Sequence, residues 1–318
     1  MRWSLSFTLV ALLLAACSNA PQEPAWTRID LPADGTVVLS EVADCGGQWW
    51  AVGAVRTGET TRPAAWTGPP WRPVSFAPRP ESYYGPRQVI RSVACAGDRV
   101  VLVGATPGGA HGSPRVSTWH RRPDGSLAEN AAPFETYGGD EAVDVGPIAA
   151  GPAGFAIAGN RTSGAAAWFS PDGTTFTLSQ SGRAGTAARD VVALPGGRWL
   201  IVGTGGWTGS WARDTELGEM QRAVRDGDDV LAAGLDGADF QVWRRHDGEW
   251  RVTETFPGDP RGVRSLAVAD GRSVVAGGGL WIAGERREAP AEPVAVAARG
   301  STVLLASDDS LWQTTVHR

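Results

Sequence analysis

A unit built around one glycine and one tryptophan recurs along most of this chain. Each copy is a short apolar strand, a tight turn, a second apolar strand ending at a glycine position, a loop, and a third strand with tryptophan. The seven copies cover residues 41–66, 91–119, 146–168, 190–211, 230–250, 263–281 and 294–312. Their marker positions are 53, 104, 159, 203, 234, 277 and 307. The mean spacing is about 42 residues, so one structural unit is repeated.

A period in the forties with four short strands per unit is typical of β-propellers. Apolar runs of four to six residues bounded by Gly, Pro and Asp indicate strands. We therefore predict an all-β fold, a seven-bladed β-propeller over residues 25–318, with six or eight blades as alternatives. Thr215–Arg225 comes nearest to a helical period, and we interpret it as a strand and turn of a compact fourth blade. Most of the 15 tryptophans are expected to fill the gaps between blades.

The two ends of the chain predict how the ring closes. The last copy stops after its tryptophan strand, Leu311–Val316, and lacks a fourth strand. Ala25–Leu31 resembles the fourth-strand pattern at Trp250, so we expect it to complete the last blade. A ring closed in this way leaves no exposed sheet edge at the joint.

The first 24 residues have the character of a processing signal. Arg2 precedes an apolar run, Leu5–Ala16, that is too short to span a bilayer but suits a signal peptide. The run ends in Leu-Leu-Ala-Ala-Cys17, which resembles the lipobox of bacterial lipoproteins. The resemblance implies removal of residues 1–16, a lipid on Cys17, a short tether over 17–24, and a place at the extracytoplasmic face of the cell membrane. An ordinary secretory signal with a chance cysteine is the alternative.

The amino-acid composition argues against several classes of function. The formal charge of −5 offers no electrostatic basis for binding nucleic acid. The chain contains no lysine, which excludes Schiff-base and P-loop mechanisms and is typical of GC-rich genomes such as those of actinobacteria. The four histidines are His111, His120, His246 and His317. They are isolated from one another, so we expect no metal site and no cofactor.

Two cysteines other than Cys17 occupy the same place in neighbouring copies. Cys45 and Cys95 each follow the innermost strand of their unit, where adjacent blades come closest. An exported protein can keep a disulfide, and we predict one between these residues. Two free, buried thiols are the alternative.

A short signature follows some of the tryptophan strands. Two copies resemble the Asp-box repeats of bacterial neuraminidases, Ser170-Pro-Asp-Gly-Thr-Thr-Phe176 and His246-Asp-Gly-Glu-Trp250. A weaker copy is Pro123–Ser126. The resemblance implies a hairpin turn and a propeller fold. It does not imply sialidase activity, because the three tyrosines lie in loops and none stands beside a glutamate partner.

The channel mouth is where we expect a ligand site. The innermost strands begin at charged residues, and convergent polar groups in a concave site favour binding. The candidates are Glu41, Arg91, Asp144, Asp190 and Arg264. Mutual ion pairs between solvated strand ends are the alternative. A second candidate surface is the loop Pro78–Gln88, which carries Tyr83 and Tyr84.

Taken together, these features favour a monomeric binding or scaffolding lipoprotein rather than an enzyme. The expected partners are the membrane, through Cys17, and a cell-envelope protein or glycan. The alternative is a carbohydrate-active hydrolase or lyase with an acidic site at the channel mouth, which two facing carboxylates would favour.

Overall fold

Short strands make up nearly all the regular structure of this protein. The computed structural model describes residues 25–108 and 114–316. The predicted signal segment, Cys17 with its tether, His111 and His317 lie outside the described residues. Helical structure in those residues is limited to α1 (Phe134–Tyr137) and two 3-10 turns at Gly85–Arg87 and Pro195–Gly197. None of these helices is long and apolar enough to cross a membrane.

The strands follow the sequence repeat. The chain enters through β1 (Thr27–Ile29). The first repeat contains β2 (Thr36–Cys45), β3 (Gln48–Thr57), β4 (Thr60–Gly68) and β5 (Arg72–Pro73). The second contains β6 (Phe76–Ala77), β7 (Val89–Ala96), β8 (Arg99–Thr106), β9 (Arg115–Arg121) and β10 (Leu127–Glu129). The third contains β11 (Ala142–Gly151), β12 (Gly154–Arg161), β13 (Gly164–Ser170) and β14 (Thr177–Gln180).

The fourth and fifth repeats are built from six consecutive strands. These are β15 (Ala188–Leu194), β16 (Arg198–Thr208), β17 (Arg213–Asp226), β18 (Asp229–Asp236), β19 (Asp239–His246) and β20 (Glu249–Pro257). The sixth repeat contains β21 (Ser265–Ala269), β22 (Arg272–Ala276), β23 (Leu280–Ile282) and β24 (Glu285–Arg287). The last contains β25 (Ala295–Arg299), β26 (Thr302–Ala306) and β27 (Leu311–Thr315).

The sheets are arranged as a ring, and the prediction of a β-propeller is confirmed. The innermost strands β2, β7, β11, β15, β17, β21 and β25 contact one another in that order, and β25 contacts β2. Hydrogen bonding divides the described strands into six sheets, the number kept as an alternative to seven. The reason is β17, whose first half pairs with β16 and whose second half pairs with β18. The fourth and fifth repeats therefore share one sheet, although each supplies a strand to the channel.

Two local predictions in this region were wrong. Thr215–Arg225 is not a strand and turn of the fourth blade, because β17 is continuous from Arg213 to Asp226. Trp211 is not on a third strand: it lies in the turn before β17 with a φ of 63°. Trp207, at the end of β16, is fully buried, and both rings join the cluster between the third and fourth repeats.

The ring closes as the two chain ends predicted. Strand β1 pairs antiparallel with β27, with Arg28 opposite Trp312. Thr314 donates a hydrogen bond to the carbonyl oxygen of Ala25 (2.8 Å), and the Trp26 indole donates to that of Glu288 (3.1 Å). Because the last blade takes its outer strand from the other end of the chain, opening the ring requires breaking a sheet.

The third-strand tryptophans pack against the preceding blade. Trp66 lies in one cluster with Leu304 of the last repeat, and Trp119 lies in a cluster with Val52 of the first. Trp168 and Trp243 repeat the arrangement further along the ring. These four indoles are fully buried. Each such ring buries roughly 150–250 Å², so the repeated tryptophan is the main packing element between blades.

Candidate functional site

A β-bulge at the same place in the innermost strands shapes the channel. In five repeats the marker glycine pairs with the residue just before a register shift. These glycines are Gly53, Gly104, Gly159, Gly203 and Gly234. A Cβ at Gly53 would overlap the carbonyl oxygen of Val38, and one at Gly203 that of Ala187. A bulge bends its strand and re-aims the side chains that follow. Here those side chains line the channel.

The channel holds a cavity of about 830 Å³ that all seven innermost strands line. All five residues predicted for the mouth line it: Glu41, Arg91, Asp144, Asp190 and Arg264. A sixth charged residue at the mouth, Arg222, also lines the cavity and was not predicted from the sequence. It follows the bulge of the fifth repeat as Asp190 follows that of the fourth. Alignment of the bulge positions would have found it, but residues 215–225 were assigned to the fourth blade.

Side chains that follow the bulges cap the next blade. The Val93 amide donates to Oε2 of Glu41 (3.0 Å), and the Ile148 amide donates to Oγ of Ser92 (3.1 Å). The Ala223 amide likewise donates to Oδ2 of Asp190 (3.0 Å). An innermost strand is a sheet edge whose inward amides have no ladder partner, so these side chains satisfy them.

Asp190 carries two such bonds. Besides the Ala223 amide it accepts from the amide of Val191 at 2.8 Å, so both carboxylate oxygens are engaged. The preceding repeat has Pro147 at the equivalent position, and proline has no side-chain acceptor to supply. Asp190 therefore caps its own strand as well as the next one.

The two buried acids at the mouth have raised pKa values. Burial raises the pKa of Glu41 to about 8, and the nearby Asp190 carboxylate adds to the effect. Hydrogen bonds from Ser92 and Val93 and the charge of Arg222 act in the opposite direction. Burial raises the pKa of Asp190 to about 6 against the stabilising charge of Arg222. At neutral pH the Glu41 carboxyl group is thus mostly neutral and Asp190 is mostly ionised.

The six mouth residues make no direct ion pair among the described residues, although the charge of Arg222 acts on Asp190. Arg222 instead donates from Nε to the carbonyl oxygen of Arg264 (2.6 Å), and Asp144 accepts from the side-chain Nδ2 of Asn160 (2.9 Å). Arg91 and Asp144 are exposed. Arg91, Asp144 and Arg264 thus present charged groups of both signs to a ligand at the mouth.

Cys45 and Cys95 form a disulfide at the far end of the same strands. Their Cα atoms are 5.5 Å apart, and the bond joins the first and second repeats. Beside it Arg299 of the last repeat pairs with Asp44 at 2.7 Å. This end of the channel is therefore tied across three neighbouring repeats.

The turn Ser170–Phe176 has the hydrogen bonds expected of an Asp-box-like signature. Asp172 accepts from the Thr174 amide (2.8 Å), and Gly173 has a φ of 84°. The Thr174 amide is the main cause that lowers the pKa of Asp172 to about 2. Phe176 is buried. The motif therefore acts as a turn that anchors the following strand.

The remaining candidate residues are dispersed. His120 bonds Asn130, and His246 bonds Asp229, each at 2.6 Å. Across residues 25–108 and 114–316, no group of three or more His, Cys, Asp or Glu side chains could hold a metal ion. Tyr83 is strongly exposed on the loop that precedes β7. The charged mouth and this loop are the surfaces that offer groups to a partner.

Comparison with known proteins supports the fold. No protein-family model matches the chain, and no curated protein matches it. The structure is similar to virginiamycin B lyase from Staphylococcus aureus, with a TM-score of 0.60 and 13% identity over 93% of this chain and 100% of that chain. It is also similar to YCF48 from Cyanidioschyzon merolae, with a TM-score of 0.57 and 14% identity over 92% of this chain and 99% of that chain. The structure of YCF48 bound to a D1 peptide is also similar, with a TM-score of 0.56 and 14% identity over 92% of this chain and 95% of that chain. At such identities the likeness shows the propeller fold and not an activity.

Proposed function

We propose that this protein is a binding or scaffolding propeller, anchored by a lipid on Cys17 at the extracytoplasmic face of the cell membrane. Its ligand is an extended peptide segment of a cell-envelope protein, which enters the channel mouth. The observation that carries the proposal is the cavity of about 830 Å³, where Arg91, Asp144 and Arg264 converge without ion-pair partners among the described residues. Charged groups that converge on a concave site are suited to orienting a ligand.

The hydrogen bonds that Asp190 and Glu41 already accept favour binding over hydrolysis. Both oxygens of Asp190 accept backbone amides, and Oε2 of Glu41 accepts the Val93 amide. A general base must reach the proton that it abstracts. Carboxylates committed to strand edges are better suited to holding blades together than to chemistry.

A peptide suits the mouth better than a neutral glycan does. With Glu41 mostly neutral, three guanidinium groups face two carboxylates around the opening. A peptide can supply acidic and basic side chains at fixed intervals, and charge complementarity of this kind gives specificity. The solved complex of YCF48 with a D1 peptide supports the proposal, because it shows that a protein of similar fold can hold a peptide.

One observation favours a second candidate, a carbohydrate-active hydrolase or lyase. Glu41 has a pKa of about 8 beside an Asp190 that is mostly ionised. Pairs of acids whose environments separate their pKa values are found in glycosidases, where the neutral one acts as general acid. Incubation of the protein with cell-wall glycans, followed by mass spectrometry, tests this candidate. Products that disappear in Glu41→Gln would favour the enzyme and contradict the binding proposal.

The peptide site is tested by panning a random dodecapeptide library on the full-length chain in detergent. The affinities of selected peptides are then measured by calorimetry. We expect the double variant Arg91→Ala, Arg264→Ala to weaken binding about tenfold or more, since charge-assisted bonds are lost. Arg251→Ala, which removes an exposed charge on β20 away from the cavity, is the matched control. Failure to select peptides, or binding that survives the double variant, would overturn the site.

The anchor is tested separately. The wild-type chain is expected to incorporate labelled palmitate and to partition into detergent, because two acyl chains on one residue give stable membrane attachment. Cys17→Ser should abolish both. Membrane retention of the unlabelled variant would contradict a lipid anchor at this residue.

A further inference from the structure

A second cavity adjoins the channel mouth. It has a volume of about 490 Å³ and lies between the loop that carries Tyr83 and Tyr84, the start of β9 and helix α1. Pro114 and Val116 line both this cavity and the central one, so the two are neighbours. A chain segment held at the mouth can therefore extend into this side pocket.

The walls of the side pocket are aromatic and exposed. Tyr83 is 67% exposed and Phe134 is 54% exposed, the highest values among the large hydrophobic side chains of the described residues. Tyr84 packs edge-on against Tyr83, with ring centroids 4.9 Å apart. Exposed aromatic rings beside a cavity are typical of surfaces that anchor a partner's side chain.

Arg115 supplies a cation to this pocket. Its guanidinium carbon lies 4.6 Å from the centre of the Phe134 ring and 5.6 Å from that of Tyr84. Its main chain is held by Gln88, whose Nε2 donates to the Arg115 carbonyl oxygen. Two rings and a fixed backbone hold the side chain in place before any ligand arrives.

The guanidinium of Arg115 has no anionic partner in the described part of the chain. None of the ion pairs there includes it, and its buried Nε has no hydrogen-bond acceptor. Polar groups beside a cavity are usually satisfied, so an unpaired guanidinium there is a candidate receptor for an anion. The planar fork of arginine matches a carboxylate with two parallel hydrogen bonds.

Three other charges bear on the pocket. The guanidinium carbon of Arg87 lies 4.1 Å from the centre of the Tyr83 ring, which is on the wall of the pocket. Glu129 lies beneath it, but its carboxylate already accepts from Ser82, Ser117 and the Arg79 amide. Arg161 is buried behind the wall and donates to the carbonyl oxygen of Gly138, which lines the pocket. Glu129 is thus occupied by three internal donors and Arg161 is buried, which leaves Arg115 and the more exposed Arg87 as the cations that an anion can reach.

We infer that the side pocket is a subsite for a carboxylate next to an aromatic or apolar side chain, with Arg115 as the carboxylate receptor. This deepens the proposed function and rests on it, because the pocket would recognise part of the same peptide. The carboxylate comes either from an acidic side chain or from the C-terminus of the partner.

The probes are N-acetyl-phenylalanine, its amide, and the blocked peptides acetyl-Gly-Phe-Glu-Gly-amide and acetyl-Gly-Phe-Gln-Gly-amide. Binding to the full-length chain in detergent is followed by ligand-observed NMR. We expect at least one carboxylate probe to bind about tenfold more tightly than its amide, as a charge-assisted bidentate pair requires. Preference for free N-acetyl-phenylalanine identifies a C-terminus as the source, and preference for the Glu peptide identifies a side chain.

Arg115→Gln should abolish the preference for carboxylate probes over their amides, and Arg115→Lys should retain only part of it. The matched control Arg251→Gln should leave it intact, and thermal unfolding shows whether each variant is folded. Equal affinities for acids and amides, or a preference that survives Arg115→Gln, would overturn the subsite. The double variant Arg91→Ala, Arg264→Ala should leave these small probes unaffected, so failure of the pocket can be told apart from failure of the mouth.

Discussion

At the scale of single residues, Glu41 and Asp190 link the stability of the ring to its charge. Each lies after a bulge and accepts a backbone amide of a neighbouring repeat. Burial raises both pKa values, so the folded protein holds these protons more tightly than the unfolded chain does. Linkage then requires stability to fall as pH rises from the unfolded pKa of each acid to its folded pKa. The window is about pH 4.5 to 8 for Glu41 and about 4 to 6 for Asp190.

Glu41→Gln tests this linkage. The amide keeps an oxygen for the Val93 amide and cannot ionise, so the variant should match the wild type near pH 5 and be more stable at pH 8. The gain should be on the order of a few kcal/mol, since each pKa unit corresponds to about 1.4 kcal/mol. Thermal unfolding at both pH values measures it, with exposed Glu135→Gln as control. If Glu41→Gln and the wild type lose the same stability between pH 5 and pH 8, the pKa of Glu41 is not raised in the folded protein.

The marker glycine makes a second residue-scale prediction. Gly203→Ala should destabilise the protein by about 2 kcal/mol or more, because the new Cβ would overlap the Ala187 carbonyl oxygen at the bulge. Gly209→Ala is the control, since its Cβ would meet only side-chain atoms of Trp199 and Phe169, none closer than 3.3 Å. Denaturant unfolding compares the two. Equal effects would show that the bulge does not require glycine.

At the scale of elements, β17 is the unusual strand. It is long enough to serve two repeats, and an ion pair holds its first half in place. Asp214 receives two bonds from Arg245, at 2.8 and 3.1 Å, and a third from the Trp250 indole at 2.8 Å. Both partners are nearly buried, with side-chain exposures of 15% and 9%. The pair joins the fourth repeat to the outer strands of the fifth.

Asp214→Asn should therefore be costly. Removing one partner leaves the Arg245 charge buried without compensation, and such losses amount to about 3–5 kcal/mol. The control Glu249→Gln breaks the exposed pair with Arg251 and should change stability by about 1 kcal/mol or less. Equilibrium unfolding in urea measures both. A small effect of Asp214→Asn would indicate that β17 is held by its backbone ladders alone.

At the scale of the whole molecule, the ring is tied at several places. Strand β1 completes the last blade, and the disulfide joins the first repeat to the second. A propeller without such ties can open at its joint and expose sheet edges. The closing strand begins near residue 27 and Cys17 precedes it closely, so a lipid at Cys17 would hold the ring near the membrane.

Cys95→Ser should lower stability by about 2–4 kcal/mol, because the cross-link limits the freedom of the unfolded chain over a separation of 50 residues. Unfolding with and without reductant provides the measurement. The wild type in reductant should behave like the variant. Insensitivity to reductant, together with two free thiols by mass spectrometry, would contradict the bond.

Much of the fold could be predicted because its causes are local. Glycine at the marker positions reflects the bulge of the innermost strand, tryptophan on the third strands reflects the gap between blades, and both recur with the period of the blade. The position of Glu41, Arg91, Asp144, Asp190 and Arg264 around one cavity also followed from the repeat. The capping roles of Glu41 and Asp190 did not, because the Val93 and Ala223 amides that they accept lie in other repeats.

The sequence by itself determined the repeat, the closure of the ring and five of the six residues that meet at the mouth, since these depend on patterns within each copy. Only the tertiary structure decided that β17 joins two repeats in one sheet, that Arg222 belongs to the mouth, and that Arg115 stands unpaired between two rings. Each of these depends on contacts between repeats that differ in length. The spacing within one copy carries no information about such contacts.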